Sequence, residues 1–260
     1  MESKDLAEIA ASEENSRIRA EIWGDFVGWD TRRRGENGWL MNQLNQHRGR
    51  KILDVALGDG VDTIYLLQQG FEVSANELDD AFRQKAIENA QRDGLTIAPT
   101  ALDWRKLEEK YPADLYDAVI CFGNSLTCLF GRENQLEALR QFRRVLAPGG
   151  VLLIDERNFQ RILDNRQAAL AGTLHSTGRY LYTGTTKVQA RFAQITDEAI
   201  YIEYIHKENG KRAYYKIFPF KKGELLVLLQ EAGFSKIEKF SDYQPGANPD
   251  ADFHQYVCVK

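Results

Sequence analysis

Between residues 51 and 156 the chain alternates short apolar runs with longer amphipathic stretches. Ile52, Leu53, Val55 and Ala56 form a nearly continuous apolar run, as expected of a parallel strand covered on both faces. The same pattern predicts strands over 51–57, 72–76, 96–102, 116–122 and 150–156. Helical stretches lie between them at 61–69, 79–92, 105–110 and 132–146, and Pro148-Gly149-Gly150 stops the last. This rhythm predicts an α/β fold with a doubly wound parallel sheet and a ligand at the carboxyl ends of its strands.

The character changes after about Gly172. Segments 179–183, 187–194, 199–207 and 211–218 read as antiparallel strands, with turns at Asp197-Glu198 and Asn209-Gly210. A helix over 223–232 and strands over 236–241 and 253–259 follow. The expected organisation is a helical segment at 1–48, a core at 49–172 and 221–260, and an inserted antiparallel meander at 173–220. The meander would form a lid or wall over the ligand edge of the sheet.

The turn after the first strand carries the first candidate chemistry. Gly58 and Gly60 allow a tight turn and close approach to a ligand. Glu77 lies one βα unit further on, where an acid can hold a ribose hydroxyl pair. No third glycine opens the helix, so the G-x-G alone is an incomplete dinucleotide fingerprint. Asp54, inside the first strand, is costly to bury without partners and is expected to bond loop amides. Asp103-Trp104 places an acid beside a large aromatic, a pair able to grip an adenine edge and face.

Composition excludes several classes. With 260 residues, 43% hydrophobic and 28% charged, the chain suits one α/β domain with a sizeable core. The net charge of −4 and the lack of a basic run interleaved with aromatics argue against a nucleic-acid partner. No apolar stretch is long enough to cross a bilayer, and residues 1–17 are too polar for a signal peptide. Cys121, Cys128 and Cys258 lack metal spacing, which fits a reduced, cytoplasmic chain. The four histidines are scattered, so no metal ion is expected.

Longer motifs carry a resemblance. LDVALGDGVDT at 53–63, GNS at 123–125, DERNFQRIL at 155–163 and the tail at 241–257 stand in order and at compatible spacing. In these stretches, and in residues 23–44, the chain resembles the glycine and glycine/sarcosine N-methyltransferases. These belong to the S-adenosylmethionine (SAM) dependent methyltransferases. The resemblance implies a seven-stranded, Rossmann-like sheet with an inserted meander. It also implies methyl transfer from SAM to the amine of glycine, sarcosine or a similar small amino acid, leaving S-adenosylhomocysteine.

The resemblance further implies individual roles. Gly58 and Gly60 would pass beneath the methionine part of SAM, and Arg32 would hold its carboxylate. Asp103 and Trp104 would contact the adenine. Asn124 would lie beside the acceptor, Arg157 would hold its carboxylate, and Tyr182 would close the site. The family's ribose acid aligns with Asn76, with Glu77 one place later. Asp59 stands where the family usually has Thr, and Leu126 and Cys128 where it has Phe and His. The last two departures imply a wider, less polar pocket. Read without the motifs, Arg157 is an ion-pair candidate for Asp155 or Glu156, and Asn124 is equally a turn cap. A different carboxylate-bearing amine or thioether acceptor, or a non-catalytic SAM-binding role, stays open.

Overall fold

The computed structural model describes residues 3–177 and 187–260. Helices α1 (Ser3–Ala11), α2 (Glu13–Phe26), α3 (Trp29–Glu36) and α4 (Trp39–Gln46) precede the sheet. The α/β core then runs β1 (Lys51–Asp54), α5 (Val61–Gln68), β2 (Glu72–Ala75), α6 (Asp80–Arg92), β3 (Tyr116–Cys121), α7 (Arg132–Val145) and β4 (Leu146–Arg157). Short helices α8 (Phe159–Asp164) and α9 (Arg166–Leu170), which the pattern did not predict, lead to a second sheet. That sheet is β5 (Val188–Ile195), β6 (Ile200–His206) and β7 (Arg212–Ile217). Helix α10 (Glu224–Glu231) and strands β8 (Lys236–Ser241), β9 (Gln244–Pro245) and β10 (Phe253–Val259) complete the core.

The main sheet has seven strands in the order β2-β1-β3-β4-β10-β8-β9. Strands β1 to β4 are mutually parallel, and β10 runs antiparallel between β4 and β8. Alternate residues of each strand enter opposite clusters. Leu53, Val119 and Leu152 pack on one side, and Ile52, Ile120 and Leu153 on the other. Helix α7 presents Leu136, Leu139, Phe142 and Val145 to the first side at helical spacing. Ile200 and Ile217 of the second sheet join that same cluster, so the meander shares the core's apolar interior.

Two predicted features differ. The strand expected over 96–102 is reduced to a bridge between Asn76 and Thr100. Pro99 has no N–H to give a ladder there. The glycine turn at 148–150 lies within β4, whose register against β3 shifts between Tyr116 and Ala118. Gly150 is required there, because a Cβ would lie 2.9 Å from the Ala147 carbonyl oxygen and 3.0 Å from that of Asp117. The strand expected over 179–183 lies outside the described residues. Among the described residues no helix is long and apolar enough to cross a membrane.

Helix α2 bridges core and meander. Asn15 donates from Nδ2 to the Tyr214 carbonyl at 2.9 Å and accepts from the Tyr214 N–H at 2.6 Å, as a pairing strand would. At the same helix, Arg19 pairs with Asp79 at 3.2 Å, and Asp79 caps α6. The helix therefore roofs the space between the two sheets.

Candidate active site

A cavity of about 480 Å³ opens beneath α2 at the carboxyl ends of β1, β2 and β3. Arg32, Gly58, Glu77, Asp103 and Trp104 all line it. The turn after β1 builds its floor. Buried Asp54 accepts from the Ala56 N–H at 3.1 Å and the Thr63 hydroxyl at 2.8 Å, the loop-bonding role expected of it. Burial pushes its carboxyl up to about 7.

Gly58 adopts a φ of 56° and donates its N–H to Glu77 Oε2 at 2.9 Å. Glu77 Oε1 accepts from the Asp79 N–H at 2.9 Å. One carboxylate thus ties the β1 turn to the β2 turn while facing the cavity. Burial raises Glu77 to about 7. Asn76 is bonded to segment 96–102 and is not among the residues lining the cavity. It is fully buried, its Oδ1 accepts from Leu102 N–H at 2.9 Å and the Thr100 hydroxyl at 2.7 Å, and its Nδ2 donates to the Leu102 carbonyl at 3.0 Å. Its amide replaces the ladder that segment 96–102 lacks and does not reach the cavity. Gly60 lies against α6. It starts α5 at a φ of 95°, and a Cβ there would meet Ile64 Cδ1 at 3.0 Å and Ala86 Cβ at 3.3 Å. Its bareness serves the packing of α5 on α6.

Arg32 of α3 is buried and donates to Asp62 Oδ2 at 2.6 Å. Arg33 bonds the other oxygen of Asp62, so the first turn of α5 holds two guanidiniums. Asp59 accepts from Trp29 Nε1 at 2.9 Å, which gives the acid that replaces the family's Thr a structural partner. Asp103 caps the 3₁₀ turn Trp104–Glu109 and accepts from the Arg105 N–H at 2.9 Å. Its bond to the Arg105 guanidinium holds its carboxyl below the usual range. Trp104 Nε1 donates to the Val55 carbonyl at 2.6 Å, which fixes the indole against the β1 turn.

Asn124 follows β3 in the left-handed region, with a φ of 63°. Its N–H donates to Asp155 at 2.6 Å, its Nδ2 to the Thr127 hydroxyl at 3.1 Å, and its Oδ1 accepts from the Arg157 N–H at 3.0 Å. The Arg157 guanidinium lies 4.6 Å over the ring of Phe253. Glu156 is engaged by the Tyr256 hydroxyl at 2.5 Å. Among the described residues no carboxylate pairs with Arg157, so the ion-pair alternative for it is not realised. The cavity wall includes Gly123 and Ser125 but, among the described residues, neither Asn124 nor Arg157. Tyr182 lies outside the described residues.

Leu126 is buried in the core, so only Cys128 of that pair faces the cavity. Arg19, which the sequence pattern did not single out, and Tyr215, one of several tyrosines of the inserted region ordinarily read as packing, also line it. Arg19 and Trp23 stand four residues apart on one face of α2, a spacing that would have flagged a shared surface.

Comparison with known proteins agrees with this geometry. A family model described as a methyltransferase domain matches residues 52–150. The chain is 30% identical over 239 residues to a glycine/sarcosine N-methyltransferase of Halorhodospira halochloris, covering 92% of this chain and 85% of that protein. It is 31% identical over 241 residues to one of Aphanothece halophytica, covering 92% and 87%. The chain belongs to the glycine/sarcosine N-methyltransferase family. Like that family, it is a SAM-dependent methyltransferase. The glycine N-methyltransferase of Rattus norvegicus is 36% identical over 156 residues, 55% of this chain and 53% of that protein. A SAM-dependent methyltransferase structure from Clostridium acetobutylicum shares the fold, with a TM-score of 0.68 at 15% identity over 95% of this chain and 97% of the other.

Proposed function

We propose that this member of the family methylates the amine of glycine, sarcosine or a similarly small amino acid. SAM, when bound, supplies a methyl group already activated on a sulfonium. The protein's task is then alignment and exclusion of water, which needs no dedicated nucleophile. The cavity residues fit such a guest. Glu77 offers an acceptor to a ribose hydroxyl pair beside the Gly58 backbone. Asp103 and Trp104 provide an acid and an aromatic face for an adenine. Arg32 offers a guanidinium to a carboxylate.

The observation that carries the acceptor assignment is Arg157. Its guanidinium stands at the ligand end of β4, backed by an aromatic ring and without a carboxylate partner among the described residues. Such a fork matches an amino-acid carboxylate bidentately. Cations near the amine disfavour its protonated form, and Arg19 and Arg157 both act electrostatically on Tyr204 at this end of the site. The reactive, neutral amine is favoured in consequence. Release of S-adenosylhomocysteine from SAM, measured across glycine, sarcosine, alanine and simple amines, tests the proposal. Turnover should require a carboxylate beside the amine. Equal turnover of carboxylate-free amines would contradict it.

A further inference from the structure

The roles above leave one cavity wall unused. Cys128 ends the 3₁₀ turn Ser125–Cys128, Tyr215 lies on β7, and both line the cavity. The Cys128 Sγ and the Tyr215 hydroxyl are 2.6 Å apart. The Arg19 guanidinium lies 4.5 Å from the centre of the Tyr215 ring. Arg19 also stacks on Phe82 at 5.0 Å and pairs with Asp79 at 3.2 Å. Tyr215 is therefore held at both ends. A thiol fixes its hydroxyl, and a guanidinium anchored two residues after Glu77 fixes its ring.

The position of this wall relative to Arg157 follows from the meander. Tyr215 pairs in register with Ile202, two residues from Tyr204 on β6. Side chains two apart on a strand share a face, so both tyrosines point the same way. The Arg157 N–H is held by Asn124 Oδ1 at 3.0 Å, and Asn124 Nδ2 reaches the hydroxyl of Thr127, the residue before Cys128, at 3.1 Å. The Cys128–Tyr215 pair thus stands on the turn that holds the backbone of Arg157, and the cavity wall reaches the pair but, among the described residues, not Arg157. An acceptor anchored on Arg157 and entering the cavity across this turn would meet the pair. The phenol of Tyr215 meets the Cys128 thiol directly, so the pair closes this side of the cavity.

We propose that Tyr215, pinned by Cys128 and Arg19, is the residue that limits the size of the methyl acceptor. It admits an amino acid with at most a very short side chain. The inference rests on Arg157 being the carboxylate anchor. A rigid wall discriminates because an added methylene must displace atoms that cannot relax.

The test compares Tyr215→Ala and Tyr215→Phe with the native chain on glycine, sarcosine, alanine and 2-aminobutyrate. Two readouts are used, kcat/KM from S-adenosylhomocysteine release and calorimetric binding of each amino acid to the S-adenosylhomocysteine complex. Tyr215→Ala should improve alanine and 2-aminobutyrate relative to glycine by about tenfold or more in both readouts. Tyr215→Phe, which loses only the thiol contact, should move the ratio by less than about threefold. Tyr215→Leu serves the same comparison if the alanine variant does not fold, as judged by S-adenosylhomocysteine binding. An unchanged acceptor ranking, with glycine still bound and methylated, would overturn the role of Tyr215 and leave the methyltransferase assignment standing. Failure of every amino acid to bind the native complex would overturn the acceptor assignment and this inference together.

Discussion

The side-chain oxygen of Asn124 accepts the backbone N–H of Arg157 at 3.0 Å. The bond joins the third residue after β3 to the last residue of β4, so Asn124 fixes where Arg157 leaves the sheet. Asn124→Ala would strip this acceptor from a half-buried N–H and remove the amide that suits asparagine to a φ of 63°. A stability loss of about 1–3 kcal/mol is expected from the orphaned group. Denaturant unfolding measures it, and the acceptor KM should rise in parallel. Unchanged stability and KM would show that the clip is idle.

Arg157→Ala removes the proposed anchor itself. Loss of a charge-assisted bidentate contact costs about 1.5–3 kcal/mol, or roughly ten- to over a hundredfold in binding. The acceptor KM should rise by that factor while S-adenosylhomocysteine affinity changes little. An equal loss of both affinities would assign Arg157 to the fold or to the cofactor side.

The two glycines of the β1 turn should separate in their effects. Gly58 lines the cavity with a φ of 56°, and an added Cβ meets only the Ala56 carbonyl oxygen, at 3.9 Å. Gly58→Val should therefore abolish S-adenosylhomocysteine binding mainly through backbone strain and cavity obstruction. Gly60→Ala presses on Ile64 and Ala86 and should lower the thermal midpoint first. Calorimetry and thermal melts on both variants distinguish the effects, and a binding-competent Gly58→Val would contradict this account of the turn.

Burial pushes Glu36, Asp54, Glu77 and Glu156 up to about 7 from ordinary values of 3.8 or 4.5. Between those limits the folded chain holds protons that the unfolded chain has released. Stability must then fall as pH rises through this window and level off above about 7. Asp155, raised by burial to about 6, acts in the same direction, and His254, held down to about 4 from 6.5 by burial, opposes the trend. Thermal melts of the ligand-free protein should show a higher midpoint at pH 5.5 than at pH 8 (both on the order of the window limits). Glu77 adds a second effect, because its ionised form is the better acceptor for ligand hydroxyls. S-adenosylhomocysteine affinity should rise with pH up to about 7, and Glu77→Gln should flatten that dependence. A midpoint that climbs steadily from acid to neutral pH would contradict the buried-carboxyl account.

Much of the fold was legible because its strands are covered on both faces and their apolar runs are unmistakable, as in 51–57. Segment 96–102 misled because its pattern is strand-like, while Pro99 and the Asn76 amide replace a ladder with single bonds. The acid at the end of β2 was legible only as a pair. Which of Asn76 and Glu77 faces the cavity depends on pleat direction, which the adjacent apolar residues leave open. Leu126 was assigned to the pocket on alignment alone, yet the short 3₁₀ turn directs it into the core and leaves Cys128 outside. Tyr215 could not be told from the other tyrosines of its region, because its partners Arg19 and Cys128 are 196 and 87 residues away and aromatic residues in strands are ordinarily packing.

The most direct test of the central claim follows a labelled methyl group. The protein would be incubated with glycine and SAM carrying ¹³C on its sulfonium methyl, and the label traced by NMR. The account predicts an N-methyl signal on the amino acid, formed with S-adenosylhomocysteine and sharply reduced in Arg157→Ala. Label that stays on the sulfonium with glycine, sarcosine and alanine alike, in a protein that binds S-adenosylhomocysteine, would contradict it. So would label that arrives on an oxygen or a sulfur.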